Sequence, residues 1–328
     1  MALQGLYTGD NGHVANQAQL LQDIVDGLAV YNQQPNPLVD AISWDTFREQ
    51  ARVPQAPLFF EEEGSGALPD YQGVAKRELI FPLRTFDSML AYTKTGIEDA
   101  LPEDVMADAN AAMAGDAQRV TGLAMAAIFR PRPAGSIGTP YIASFYNGET
   151  DVPPYGEKVF TGAHSHYAGI NATTLSRDHI AAAIEDVAEH GFRGPYIGLF
   201  SIYQADDVLK IQDSSSTMIQ SPARQSAVDQ GTLSGTLVAG VQCVFSEFVP
   251  AGYFAVLDAG ARPLGRRQHL NPQYRGLRIE SQINDPANPL VGRYFRRRIG
   301  FAVRLLGAGA VRQIVNSTTY TTPTMRFQ

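Results

Sequence analysis

Apolar positions along this chain follow a helical period in three places and a strand-like one in several others. Behind Asn16, a residue suited to cap a helix, Leu20, Leu21, Ile24, Leu28 and Tyr31 recur at helical spacing until Pro35-Asn36-Pro37 stops the run. Leu38 to Arg52 is mixed, with Trp44 and Phe47 as its large apolar groups and no sign of a self-contained core. Pro54 to Phe60 and Val74 to Leu83 read as strands flanking the polar turn Glu61-Glu62-Glu63-Gly64-Ser65-Gly66, which runs on to Pro69-Asp70. Arms of that length reach roughly 30 Å, and an isolated two-stranded hairpin is marginal in water, so this ribbon needs support from outside itself.

The clearest helix begins at Pro102, a residue suited to the first helical position, with Glu103 and Asp104 at the positive end of the dipole. Val105, Ala109, Ala112, Met113, Ala117, Val120, Leu123, Ala124, Ala127 and Ile128 form its apolar face, and Arg130-Pro131-Arg132-Pro133 ends it after about 40 Å. A further helix starts at Ser176, shows Ile180, Ala183, Ile184, Val187 and Ala188, and closes at His190-Gly191. Tyr196 to Tyr203 reads as a buried strand and Gln204 to Ile211 as a short helix, followed by a polar stretch from Ser214 to Gln230. Further strands are expected at Val238 to Phe245, Tyr253 to Leu257, Gly276 to Ile283, Tyr294 to Leu305 and Val311 to Val315. Helices and strands mix without a βαβ rhythm, which predicts an α+β fold.

With 328 residues, 44% hydrophobic and 18% charged, the chain is long enough for two compact domains or one large one, and disorder is disfavoured. The net charge of −7 argues against a wholly basic nucleic-acid binder. That total conceals a polarity: residues 1 to 120 carry 18 acidic and 7 basic side chains, whereas residues 262 to 312 carry eleven arginines against Glu280 and Asp285. Blocks of opposite sign can pair within one chain or between copies of it. The single cysteine, Cys243, makes neither an internal disulfide nor a cysteine-based zinc site. No signal-peptide pattern and no membrane-span pattern is visible, so a soluble protein of a reducing cytoplasm is expected.

Enzymatic motifs are largely missing. None of the four lysines, Lys76, Lys94, Lys158 and Lys210, follows a glycine, so no P-loop can be written. Gly64-Ser65-Gly66 and Gly307-Ala308-Gly309 meet Pro69 and Arg312 where a dinucleotide loop needs its third glycine. There is no Gly-x-Ser-x-Gly elbow and no His-Glu pair of the zincin type. His164-Ser165-His166, with His179 beyond, is the one tempting metal constellation, because two histidines flanking one residue point the same way on a strand. No carboxylate stands at a ligand-like spacing from them, which favours a hydrogen-bonded structural role. Arg296-Arg297-Arg298, with Arg293 before and Arg304 after, is a candidate for subunit contacts or for phosphates. On a strand, however, Arg297 faces away from Arg296 and Arg298. Glu61, Glu62 and Glu63 carry the complementary sign, and otherwise form a solvated turn.

In order, the hairpin Pro54 to Leu83, the helix Pro102 to Ile128, His164-Ser165-His166-Tyr167 leading to Asp178-His179-Ile180 and His190-Gly191, and Tyr294-Phe295-Arg296-Arg297-Arg298-Ile299-Gly300-Phe301 resemble a tailed-bacteriophage major capsid protein of the Hong Kong 97 type. The resemblance implies an N-terminal arm at 1–52, an E-loop hairpin at 53–88, and a peripheral domain at 89–190 with a spine helix at about 102–129. An axial domain would follow at 191–285, and the chain would return to the peripheral domain at 286–328. It implies a structural protein with no catalytic residue, cofactor or metal. Such a protein self-assembles as hexamers and pentamers into an icosahedral head around double-stranded DNA, made in the host bacterial cytoplasm and located in the virion. Glu61, Glu62, Glu63, Arg293, Arg296, Arg297 and Arg298 are then the inter-subunit candidates, with arm and hairpin leaning on sister subunits. Scaffolding, portal and decoration proteins are candidate partners, and the packaged DNA would be contacted without sequence preference; no membrane partner is expected. Some members crosslink an E-loop lysine to an asparagine; Lys76 and Asn316 occupy conceivable positions, without the local carboxylate that such chemistry needs. The alternatives are an encapsulin-type compartment shell, against which the long hairpin argues, and a metal-dependent hydrolase using His164, His166 and His179.

Overall fold

The computed structural model describes residues 16–53, 77–90, 92–133, 135, 139–211, 237–238 and 240–327. The chain divides into two compact units, each gathered from three separated stretches. The first comprises Met1–Asn36, Leu83–Gly122 and Arg267–Gly300; the second comprises Pro37–Pro82, Leu123–Arg266 and Phe301–Gln328. The long helix Pro102–Phe129 and the strand Arg293–Val303 each share their residues between the two.

In the first unit the helix Gln17–Gln33 begins where the Asn16 side chain accepts a hydrogen bond from the Gln19 amide at 3.1 Å. Its buried stripe, Leu20, Ile24 and Leu28, joins Leu90, Ile97, Val105, Ala109, Leu277, Leu290 and Phe295 in one core. Residues 17–33 therefore bury their apolar face within their own chain, which corrects the expectation of an arm leaning on neighbours. Residues 1–15 lie outside the described ones. Asn32 adds a polar clamp, donating to Leu277 O at 2.7 Å and accepting from Leu277 N at 2.8 Å.

The strand Arg293–Val303 lies between two antiparallel partners of this unit. Phe295 stands opposite Ile279 of Leu277–Ser281 on one side and Ser88 of Arg84–Leu90 on the other. The helix Pro102–Phe129 starts as anticipated, with Pro102, Glu103 and Asp104 in its first turn. Up to Val120 it buries a stripe made of Val105, Ala109, Asp116 and Val120, whereas Ala124 to Phe129 are buried on every side. Burial all round explains the run of small and apolar residues at its end.

The second unit centres on a sheet ordered Tyr167–Gly169, Gly309–Gln313, Tyr253–Asp258, Tyr196–Ser201, Val241–Ser246 and Leu237–Val238. The pairs 167–169 with 309–313 and 196–201 with 241–246 are parallel; the others are antiparallel. All six residues of Tyr253–Asp258 are buried, as expected of a strand covered on both faces. The helix Arg177–Ala188 lays Ile180, Ala183 and Val187 on Phe200, Phe245, Phe254, Val256 and Ala310.

Also in this unit is the base of the expected hairpin. Gln50–Val53 pairs antiparallel with Arg77–Ile80, Gln50 opposite Ile80. The ascending strand thus starts before Pro54, and the segment Pro54 to Phe60 lies outside the described residues, as do Glu61 to Gly66. The base is anchored: Ile80 N donates to Tyr141 O at 2.8 Å, Tyr141 N to Glu78 O at 3.1 Å, and Leu79 and Phe81 are buried with Ala143, Tyr146 and Val152. Pro82 ends this pairing, and Arg84–Leu90 joins the arginine-bearing strand of the first unit instead of prolonging the hairpin.

Candidate functional site

Alternation on the strand Arg293–Val303 sends its arginines to opposite faces. Arg296 grips Asp87 in a two-pronged pair, Nε to Oδ1 at 2.7 Å and Nη2 to Oδ2 at 2.9 Å, while Nη1 donates to Glu280 Oε2 at 2.7 Å. The guanidinium hydrogen bond holds the Asp87 carboxyl below the usual carboxylate range. On the opposite face, Arg297 pairs at 2.7 Å with Asp116 of the long helix, which also accepts from the Tyr31 hydroxyl at 2.8 Å. Burial pushes the Asp116 carboxyl up, and Arg297 and Tyr31 oppose that shift. Arg298 lies 5.9 Å from the centre of the Tyr274 ring, and Arg293 Nε donates to Pro289 O at 2.7 Å.

The opposite charges of the two sequence blocks therefore meet inside the chain at Arg296 and Arg297, and again in the second unit, where Arg266 bridges Asp40 at 2.7 Å and Asp45. Glu61, Glu62 and Glu63 lie outside the described residues. Each unit also presents large apolar side chains to solvent: Met89 at 82% and Leu270 at 72% exposure in the first, Tyr203 at 80% and Val159 at 67% in the second.

The second unit assembles a histidine cluster whose membership differs from the sequence expectation. His164 and His166 do come together, and their third partner is His190, not His179. His179 Nδ1 instead accepts from the Ser176 amide at 3.1 Å at the start of the helix Arg177–Ala188, where it satisfies an otherwise orphaned donor. Glu189 and His190 follow that helix directly and turn back to the two histidines, supplying the carboxylate that sequence spacing did not reveal. The three Nε2 atoms lie 2.9 Å (His164 to His190), 3.0 Å (His164 to His166) and 3.0 Å (His166 to His190) apart. Burial pushes all three imidazoles toward the neutral form, His190 down to about 3 and His166 well below its ordinary value. Phe160 stacks on the His190 ring at 4.5 Å and Tyr146 lies 4.8 Å from it. Gly307 leaves no room to spare, since a Cβ there would stand 2.7 Å from His190 Cγ.

No protein-family model matches the chain, and no curated protein matches its sequence. Solved structures do match. A chain of Mycobacterium phage Patience is 25% identical, with 96% of this chain and 92% of that one covered and a TM-score of 0.67. Capsid chains of native and empty GTA particles, each 16% identical, give TM-scores of 0.52 and 0.53 and cover 84% and 86% of this chain and 90% and 91% of theirs. In its mixed helices and sheets the chain has the fold of the tailed-phage major capsid proteins of the Hong Kong 97 type.

Proposed function

We propose that this chain is the major capsid protein of a tailed bacteriophage, assembling as hexamers and pentamers into an icosahedral head around double-stranded DNA. The observation that carries this reading is the match to the Patience chain over nearly the full length of both. The exposed Met89, Leu270, Tyr203 and Val159 support it, because a shell subunit must bury surface against several copies of itself. Within residues 53–88 the hairpin beyond the base anchored by Tyr141 serves as the E-loop and reaches over a neighbouring subunit, while Arg84 to Ser88 stay paired with the arginine-bearing strand of their own chain. Glu61, Glu62 and Glu63 then contact that neighbour at Arg293 or Arg298, since Arg296 and Arg297 already hold carboxylates of their own chain.

The role is structural and requires no catalytic residue. Among the described residues no helix is long and apolar enough to cross a membrane, and the protein's place is the virion shell. Scaffolding, portal and decoration proteins, and packaged DNA held without sequence preference, are its further partners. Sedimentation velocity of the purified chain tests the proposal: discrete species of capsomer size and closed particles of megadalton size are expected. A single 35.6 kDa species at every concentration and salt would overturn it.

A further inference from the structure

We propose that His164, His166, His190 and Glu189 form a binding site for one divalent transition-metal ion, zinc being the ion that the donor set suits. The inference stands on the arrangement of the three Nε2 atoms, which touch one another pairwise at 2.9–3.0 Å. In a neutral imidazole each such nitrogen is either an N–H donor or a lone-pair acceptor. Among three mutually adjacent nitrogens, two must be of the same kind, so at least one contact sets donor against donor or lone pair against lone pair. No choice of tautomers removes that conflict. A cation at the centre removes it entirely, because all three nitrogens then present lone pairs to the same charge.

The tautomer of the innermost ring is fixed in the sense a metal requires. His166 Nδ1 lies 2.7 Å from Gly309 O, and a carbonyl only accepts, so Nδ1 carries the proton and Nε2 is left bare. A ligating histidine that donates its other N–H to a backbone carbonyl is the usual outer support of a metal site. Buried Arg312 steadies the same loop by donating to His166 O at 3.0 Å.

The spacing fits as well. With metal–nitrogen bonds of about 2.0–2.1 Å, nitrogens at the observed separation subtend about 90° at the ion, and opening each to about 3.3 Å gives the tetrahedral angle. Glu189 Oε1 stands 3.4 Å from His164 Nε2 and 3.9 Å from His190 Nε2, at the edge where a fourth ligand belongs, and Lys158 holds the other oxygen, Oε2, at 3.0 Å. Three imidazoles and a carboxylate select zinc or a neighbouring transition metal over calcium or magnesium, which prefer oxygen donors. Four protein donors close the coordination sphere, so the ion acts as a structural staple that ties the end of the helix Arg177–Ala188 to the strands at His164–Ser165 and Tyr167–Gly169.

The untagged full-length chain, dialysed against chelator, is titrated with cobalt(II) and zinc(II). The expected result is a visible cobalt absorption band of tetrahedral intensity that saturates at one equivalent, disappears on zinc addition, and is accompanied by a rise in melting temperature. His164→Gln and Glu189→Gln, whose side chains lie at the partly exposed rim, should stay folded by circular dichroism and bind zinc at least tenfold more weakly. His269→Gln, remote in sequence from the cluster, should bind as the parent does. Absence of saturable binding at one equivalent by the folded parent chain would overturn the proposal, as would unchanged affinity in His164→Gln.

Discussion

Arg296 and Arg297 are neighbours in sequence whose carboxylate partners have opposite physical settings. Arg296 and Asp87 sit at the surface, side chains 22% and 45% exposed, where water screens the pair and its worth is small. Its pH dependence is nevertheless readable. Because the Asp87 carboxyl titrates below its usual range, the contribution is complete above the unfolded-chain value near 3.9 and is lost as pH falls through the lower folded value. The melting temperatures of the parent and Asp87→Asn should therefore differ at pH 6 and converge as pH drops below about 4. Asp116 is buried and Arg297 half-buried, 6% and 16% exposed, and removing the arginine strands the buried carboxylate. Arg297→Met should cost about 3–5 kcal/mol in chemical denaturation, with part of the loss recovered when Asp116→Asn is added.

The opposite orientation of these arginines was legible in the sequence from strand alternation alone. Their partners were not, because Asp87 and Asp116 lie about two hundred residues away and only the sheet register and the long helix bring them near. The histidine cluster follows the same logic. His164 and His166 announce themselves by spacing, whereas Glu189 and His190 look like an ordinary helix end until tertiary structure turns that end onto the strands.

At the scale of elements, the helices with local start and stop signals were readable: Asn16 before Gln17–Gln33, Pro102 at the start of Pro102–Phe129, Ser176 before Arg177–Ala188. Strands of two to four residues, such as Ser43–Thr46, Asn147–Glu149 and Leu264–Arg267, were not, because nothing local separates them from loop and distant pairing defines them. The N-terminal helix also carries more than its amphipathic pattern suggested. Since Ile24 is 1% exposed within the first unit's core, Ile24→Ala should cost about 2–5 kcal/mol, measured on the dissociated subunit so that assembly does not mask it. The hairpin behaves differently in the proposed function. Its base is bound to Tyr141 and its reach is spent on a neighbour, so deleting Glu61 to Gly66 should leave the subunit's melting temperature within a few degrees while lowering the yield or heat resistance of shells. Equal yield and resistance from the deletion variant would remove the E-loop from the account.

For the whole molecule, the order of parts was more legible than their grouping. The long helix, the capped helix and the arginine strand follow one another as expected, and of the hairpin the base is described, but each compact unit draws on three separated stretches, and composition marks none of those boundaries. Each unit exposes large apolar side chains, and the proposed assembly into a shell would cover them against neighbouring copies. Cryo-electron microscopy of particles formed by the untagged chain tests that assembly most directly. Closed icosahedral shells of hexamers and pentamers, with the hairpin beyond its Gln50–Val53 and Arg77–Ile80 base lying across an adjacent subunit, are the predicted image; a protein that stays monomeric under every assembly condition, with that hairpin folded back on its own chain, would contradict it.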